Sequence, residues 1–353
     1  MDEAAFRRLI SGERRGVNAG LLRTALRTAS IGYQAAIGFR AVLCKAGLRR
    51  VHQEAVPVIS VGNLTTGGTG KTPLVALVCR MLQTSGVSPG IISRGYRSVD
   101  GMANDEKLVL SLLCPDVPHE QNPDRVAAAA AILRSHSVNA IVMDDGFQHR
   151  RLHRDLDIVL IDAMNPFGFG HLLPRGLLRE PLSALRRADA ALITRSDLVS
   201  ESDLMAIQAT LLQNAPGLDG RILRVSFRPA GLLSVTRQRS ELSSVRDQPV
   251  FLMTGIGNPE AFAATCRGAG LQIAGSRWFA DHHHYSDSDL KAVQAEALMT
   301  DANRIVTTLK DLVKLRETHE NVLALEITPD FPVAGQFETM NALIRRCVTK
   351  KAG

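Results

Sequence analysis

Aromatic residues are scarce in this 353-residue chain: they make up 4%, with a single tryptophan. A core must therefore rest on Leu, Val, Ile and Ala. Cysteines are also few. The five present (Cys44, Cys79, Cys114, Cys266, Cys347) are widely spaced, odd in number and without a CxxC pair. That argues against a disulfide framework or a zinc ribbon and points to a reducing compartment. There is no internal repeat, no low-complexity tract and no hydrophobic run long enough to span a bilayer. The longest uncharged stretch near the start, Thr28–Phe39, falls well short of the ~20 residues a crossing needs. A secretory signal is not expected either, because no small-residue cleavage site follows it. A basic stripe with interleaved aromatics is missing beyond residue 50, so a nucleic-acid partner is not expected.

What the chain does have is a localised positive charge. The net charge is +7, and ten basic residues against three acidic ones in the first fifty positions account for all of it. Within that segment Leu22, Leu26, Ala29, Tyr33 and Ile37 recur at helical spacing, flanked by arginines. The pattern suits a helix lying on an anionic membrane surface. It also suits a helix docked on its own domain with its arginines in solvent.

Beyond residue 50, short apolar strands alternate with helices: Val56–Val61, a helix over Pro73–Ser85, then strands at Gly90–Ser93, Ala140–Met143, Asp157–Asp162 and Ala190–Thr194. This predicts an α/β fold of the P-loop NTPase type, a mostly parallel sheet with helices on both faces. A strand at Ile222–Phe227 ends just before Arg228-Pro229, and the strand–helix pattern restarts at Pro249. The expected layout is basic N-terminal helices over 1–50, a P-loop domain over 51–221, a linker over 222–248 and a smaller α/β domain over 249–353. Leu323–Ile327 is expected to return beside Ile222–Phe227 as a two-stranded hinge, and the last helix covers roughly Phe337–Val348.

The chemistry starts at Thr65-Thr66-Gly67-Gly68-Thr69-Gly70-Lys71-Thr72. Gly70, Lys71 and Thr72 occupy the defining positions of a phosphate-binding loop, although Thr65 stands where the leading glycine belongs. Glycines let backbone N–H groups turn toward phosphate oxygens, and the helix that follows adds its positive end. Lys71 can reach the β- and γ-phosphates of ATP, and the Thr72 hydroxyl can face Mg²⁺. A partner strand should end in acid, and AIVMDD supplies Asp144 and Asp145 as further metal candidates. Arg94, at the end of the second strand, is a candidate phosphate contact, with a structural turn as the competing reading. Arg150, Arg151 and Arg154 after the acidic strand are candidate contacts for a substrate phosphate or the lipid surface. A solvated charged face is the competing reading. Thr194-Arg195-Ser196-Asp197 is similar to a guanine-reading motif with arginine in place of lysine. His282-His283-His284 has no cysteine or third ligand cluster to complete a metal site. Ser286 to Asp289 reads as a capping box.

Taken together, VPVISVGNLTTGGTGKTP, IISRGYR, PDRVAAA, MDDGFQHRRL, HLLPRGLLREP and FADHH resemble the tetraacyldisaccharide 4′-kinases of lipid A synthesis, from about Val56 to Leu315. The resemblance implies ATP-dependent phosphorylation of the 4′-hydroxyl of a lipid A disaccharide 1-phosphate precursor. It also implies peripheral attachment to the cytoplasmic face of the bacterial inner membrane, and we expect a monomer. Asp105, in Asn104-Asp105-Glu106-Lys107, matches the family's catalytic aspartate, whose flanking Gly and Pro are lost here. His282 after Asp281 matches its partner histidine. Arg125 resembles a position near the nucleotide and Glu180 one near the metal, and Gln148 and His149 join Arg94 and Arg151 as substrate candidates. The family's Thr-Thr-Glu-Lys-Asp reads Thr307-Thr308-Leu309-Lys310-Asp311, with the glutamate lost. Asp105 and His282 are expected on different domains, meeting only when a cleft closes. The competing function is a membrane-recruited P-loop ATPase or GTPase that acts through partner binding rather than on a lipid.

Overall fold

The computed structural model describes residues 3–46, 50–95, 105–316 and 318–352. Arg49, Tyr96 and Asn104 lie outside them. In chain order the elements are α1 (Glu3–Ser11), α2 (Val17–Lys45), β1 (Val58–Asn63), α3 (Lys71–Thr84), β2 (Pro89–Ser93), α4 (Asp105–Leu113), β3 (His119–Gln121), α5 (Arg125–Ser135), β4 (Ala140–Asp144), β5 (Leu156–Asp162) and β6 (Ala190–Thr194). There follow α6 (Glu201–Asn214), β7 (Ile222–Ser234), β8 (Arg239–Ser240), α7 (Ser243–Arg246), β9 (Pro249–Thr254), α8 (Pro259–Gly268), β10 (Gln272–Trp278), α9 (Asp287–Met299), β11 (Arg304–Thr308), α10 (Leu309–Leu312), β12 (Val322–Asp330) and α11 (Gln336–Ala352).

The chain divides into two compact units. The first holds residues 1–96, 114–226 and 331–353; the second holds 97–113 and 227–330. This corrects the expected boundaries in two places. Helix α4 belongs to the second unit, although it lies in sequence between two strands of the first. Its Val109 is buried among Phe251, Met253, Leu309 and Leu312. Helix α11 belongs to the first unit, where Met340 and Ile344 are fully buried and Lys351 pairs with Asp155 at 3.1 Å. Strand β7 also runs on past Arg228-Pro229 to Ser234, changing units after Ser226. Pro229 is tolerated because it sits in the half-exposed stretch between the strand's two buried ends.

In the first unit the strand order is β7-β6-β5-β1-β4-β2-β3, and every pairing in it is parallel. The strands read as continuous apolar runs because both faces are covered. Ile92, Ile141 and Met143 pack with Ala128 and Ile132 of α5, whereas Val159, Ile161 and Ile193 pack with Leu204, Ile207 and Leu211 of α6. The chain moves outward from β1 in both directions, so a ligand site is expected at the carboxyl end of β1. The second unit has its own sheet, ordered β10-β9-β11-β12-β7. Its β9, β10, β11 and β12 run parallel, and β8 pairs antiparallel with β7.

Helix α2 is docked on the first unit. Ser30 Oγ donates to the Leu172 carbonyl at 3.0 Å, and Tyr33 Oη donates to the Arg179 carbonyl at 3.1 Å. The periodic stripe is split by this docking: Leu26, Tyr33 and Ile37 are half-buried, and Leu22 and Ala29 are exposed. Outside the stripe, Val17, Leu21, Ile31, Phe39 and Val42 are exposed as well. No helix among the described residues is long and apolar enough to cross a membrane. The described thiols, Cys79, Cys114, Cys266 and Cys347, are free and buried.

Candidate active site

The phosphate loop joins β1 to α3 in the first unit. Gly70 caps α3 in the left-handed region (φ 81°, ψ 26°), and Gly67 has φ 116°. Side chains with a Cβ rarely adopt these angles, so the glycines are what lets the backbone turn its N–H groups inward. The first turn of α3 has no side-chain cap, and its amides point to where an anion would sit. The Thr69 hydroxyl is buried and has no hydrogen-bond partner among the described residues. Such an orphan is costly unless a ligand satisfies it. These features fit a bound triphosphate.

The loop is held from three sides. Lys71 Nζ donates to Asn63 Oδ1 at 3.2 Å and lies 3.6 Å from Asp145. Asn63 Nδ2 donates to the Thr65 carbonyl at 2.6 Å, and the Thr66 N–H donates to the Leu177 carbonyl at 2.8 Å. Thr194 Oγ1 donates to the Thr69 carbonyl at 3.0 Å. Arg195, paired with Asp162, donates to the Gly68 carbonyl at 2.7 Å. The segment that looks like a guanine-reading motif therefore begins by bracing the phosphate loop.

Asp144 ends β4 beside Val61 of β1 and is almost wholly buried. Asp145 follows with φ 53°. Arg179 meets both of its oxygens, at 2.9 and 2.8 Å. Burial alone would raise the Asp145 pKa, but Lys71 and Arg179 outweigh it and hold the carboxyl well below the usual range. Arg125 is buried, with its ionisation opposed by burial and favoured by Asp145 and Asp144. Thr72 lies in the first turn of α3. Thr72 and Asp144 are hard oxygen donors of the kind Mg²⁺ takes, alongside phosphate oxygens. Glu180, the other metal candidate, is committed to Arg187 at 2.6 Å. Among the described residues no group of three His, Cys, Asp or Glu could hold a metal by itself.

The substrate candidates have mixed placements. Gln148 Nε2 donates to the Asn63 carbonyl at 2.9 Å and its Oε1 accepts from Arg179, which puts it in the loop's support. His149 donates its N–H to the Gly146 carbonyl, and its own carbonyl accepts from Arg154. Arg151 pairs with Asp124, the N-cap of α5, at the surface. Arg94 follows β2 and is in electrostatic reach of Arg125. Arg154 is not part of a solvated face: it pairs at 3.1 Å with the buried Asp157.

The second unit carries the other half of the expected chemistry. Asp105 opens α4, and its Oδ2 lies 3.2 Å from His282 Nδ1. Both residues belong to this unit, which corrects the expectation that they come from different domains. Burial opposes the charged form of Asp105, but the hydrogen bond to His282 and the charge of Lys314 together lower its pKa. His282 sits at φ 61°, with its N–H donating to the Gly255 carbonyl at 3.0 Å. His283 pairs with Asp289 and stacks on Phe279, a supporting role. Leu309 is buried in the apolar core of this unit.

Residue types alone did not mark Asn63, Arg179 or Lys314, and they set Thr194 and Arg195 in a guanine-reading pattern rather than as braces for the phosphate loop. Asn63 and Arg179 could have been suspected from their place inside VPVISVGNLTTGGTGKTP and HLLPRGLLREP; Lys314 and the bracing by Thr194 and Arg195 depend on contacts made in three dimensions.

A parallel sheet with a glycine-capped lysine–threonine loop after its central strand, and an acid ending the adjacent strand, defines a P-loop phosphotransferase. The model of the family described as tetraacyldisaccharide-1-P 4′-kinase matches residues 22–346, and the chain belongs to that family. It is 37% identical over 320 residues to the tetraacyldisaccharide 4′-kinase of Anaeromyxobacter dehalogenans (strain 2CP-C), covering 86% of this chain and 84% of that one. It is 36% identical over 312 residues to the enzyme of the same name from Geobacter metallireducens, covering 84% and 89%. The solved structure of LpxK from Aquifex aeolicus, in complex with ATP, superposes with a TM-score of 0.74 at 28% identity, over 93% of this chain and 99% of that one.

Proposed function

We propose that this kinase transfers the γ-phosphoryl group of ATP to the 4′-hydroxyl of a tetraacylated disaccharide 1-phosphate, a lipid A precursor, at the cytoplasmic face of the inner membrane. ATP lies along Thr65–Thr72, with Lys71 on its β- and γ-phosphates and Arg125 close by. Thr72 and Asp144 would hold Mg²⁺, with Asp145 tied to Lys71 and Arg179 beside them. The metal ion, when bound, neutralises charge on the phosphate oxygens. Asp105 is the base. The sugar oxygen bonds to the γ-phosphorus as the bond from that phosphorus to the β–γ bridging oxygen breaks. ADP leaves, and the hydroxyl proton passes to Asp105, with His282 to share it. A loose transition state keeps that proton in place until late, so a carboxylate of low basicity suffices.

The observation that carries this reading is the Asp105–His282 pair, which supplies a base able to take the proton of a hydroxyl nucleophile. The outward apolar residues of α2 and the arginines around them support a lipid surface as the place of reaction. The test supplies γ-labelled ATP and total inner-membrane lipid. One labelled lipid, with its label at a sugar hydroxyl, supports the proposal. ATP turnover with no labelled lipid would favour a membrane-recruited ATPase.

A further inference from the structure

The Asp105–His282 pair has a buried cation behind it. The Lys314 side chain is 6% exposed and reaches two carboxylates, Asp105 Oδ2 at 3.2 Å and Asp311 Oδ1 at 3.5 Å. Asp311 is wholly buried. Its Oδ2 accepts from Thr254 Oγ1 and Thr308 Oγ1, each at 2.7 Å, and from the Gly255 N–H at 3.2 Å. The Gly255 carbonyl in turn accepts the His282 N–H. One buried carboxylate therefore restrains both groups that touch Asp105: Lys314 through their ion pair, His282 through Gly255. A left-handed histidine and a buried lysine each cost free energy, and this network is what holds them.

We propose that Lys314, anchored by Asp311, is a positioning residue for phosphoryl transfer: it keeps Asp105 ionised and turns its Oδ2 inward, so that Oδ1 is the oxygen offered to the sugar hydroxyl. The inference rests on Asp105 being the base. Both described contacts of Asp105 fall on Oδ2. The other charged groups near it are accounted for. Glu106, next along α4, faces Lys310 at 3.8 Å. Asp311 lies behind Lys314. The Tyr285 ring lies under Lys314 at 5.9 Å, and its hydroxyl, pushed up by burial and by Asp311, stays neutral. Removing the Lys314 charge leaves His282 as the remaining group that favours ionised Asp105. Protonation of Asp105 then begins at higher pH.

The test is the pH profile of kcat/KM for lipid phosphorylation by full-length Lys314→Met, Lys314→Gln and Lys314→Arg, with ATP binding as the check on folding. Met and Gln are expected to move the acid limb up by about one pH unit and to lower kcat roughly 10- to 100-fold. KM for ATP should stay within about twofold, and Arg should return the limb to its original place. If Lys314→Met fails to fold, Lys314→Gln gives the same reading. An acid limb that stays put in the uncharged variants overturns the proposal, whether kcat is kept or lost. Asp105→Asn separates the two claims. If it is active, the base assignment fails; if it is inactive while Lys314→Gln keeps the wild-type profile, only the role of Lys314 fails.

Discussion

His282 Nδ1 lies 3.2 Å from Asp105 Oδ2 although 177 residues separate them in the chain. The contact exists because α4 leaves the strand order of the first unit and buries Val109 in the core of the second. The carboxylate–histidine pair is thus complete within one unit, and the phosphate loop is complete within the other.

That separation sets the first expectation. Asp105→Asn should lower kcat for lipid phosphorylation about 10²- to 10⁴-fold while ATP affinity, measured by fluorescent-nucleotide titration, stays near wild type. Loss of ATP affinity in proportion to kcat would contradict a role for Asp105 as the base.

The phosphate loop should also be needed for turnover. Lys71→Ala should cost about 10²- to 10³-fold in turnover, as expected for removing a cation from the transferring group. Arg179→Ala tests the charge on Asp145. That carboxyl is held low in the folded state, so its contribution to stability is present above the unfolded carboxylate pKa of about 4. It is lost as pH falls through the lower folded value. Without Arg179 the folded value rises, and acid unfolding followed by circular dichroism should start at higher pH. An unchanged acid transition would mean that the Arg179–Asp145 contact has no electrostatic weight.

How far the sequence carried this picture depends on whether a feature is local. The phosphate loop, its flanking strand and helix, and the acid at the end of β4 were legible because glycine conformation, helix polarity and strand alternation act over a few residues. The unit that holds Asp105 was not, because α4 stands between two strands of the P-loop sheet and where it docks is set by contacts distant in sequence, such as the burial of Val109 and the Glu106–Lys310 pair. Helix α11 misled for a similar reason: it follows the second unit in sequence, but Met340 and Ile344 pack in the first. Arg154, read as a substrate or lipid contact or as part of a solvated face, instead pairs with the buried Asp157 three residues on.

Helix α2 divides its apolar residues between docking and exposure, so the lipid reading can be tested without removing the helix. Val17→Ser, Leu21→Ser, Ile31→Ser and Phe39→Ser together should lower co-sedimentation with anionic vesicles at least ~10-fold, since each buried apolar side chain contributes about 1.5 kcal/mol or more. Activity on detergent-dispersed substrate should persist. Added salt should weaken the remaining binding through the arginines. Vesicle binding equal to wild type would rule out this face.

Leu309 fills a core position of the second unit. Leu309→Ala should destabilise the second unit by about 2–5 kcal/mol, the cost of a cavity in a sealed apolar cluster. Urea unfolding should show this as a lower midpoint. A midpoint within error of wild type would mean that the cluster around Val109 and Leu312 does not depend on Leu309.

The most direct test of the whole account is the product formed from purified tetraacyldisaccharide 1-phosphate and γ-labelled ATP, read by mass spectrometry and phosphorus NMR. The account predicts one added phosphoryl group, carried as a monoester on the 4′-oxygen, with one ADP formed per lipid modified. ADP released while the lipid stays unmodified, or a phosphoryl group added at any other position, would contradict it.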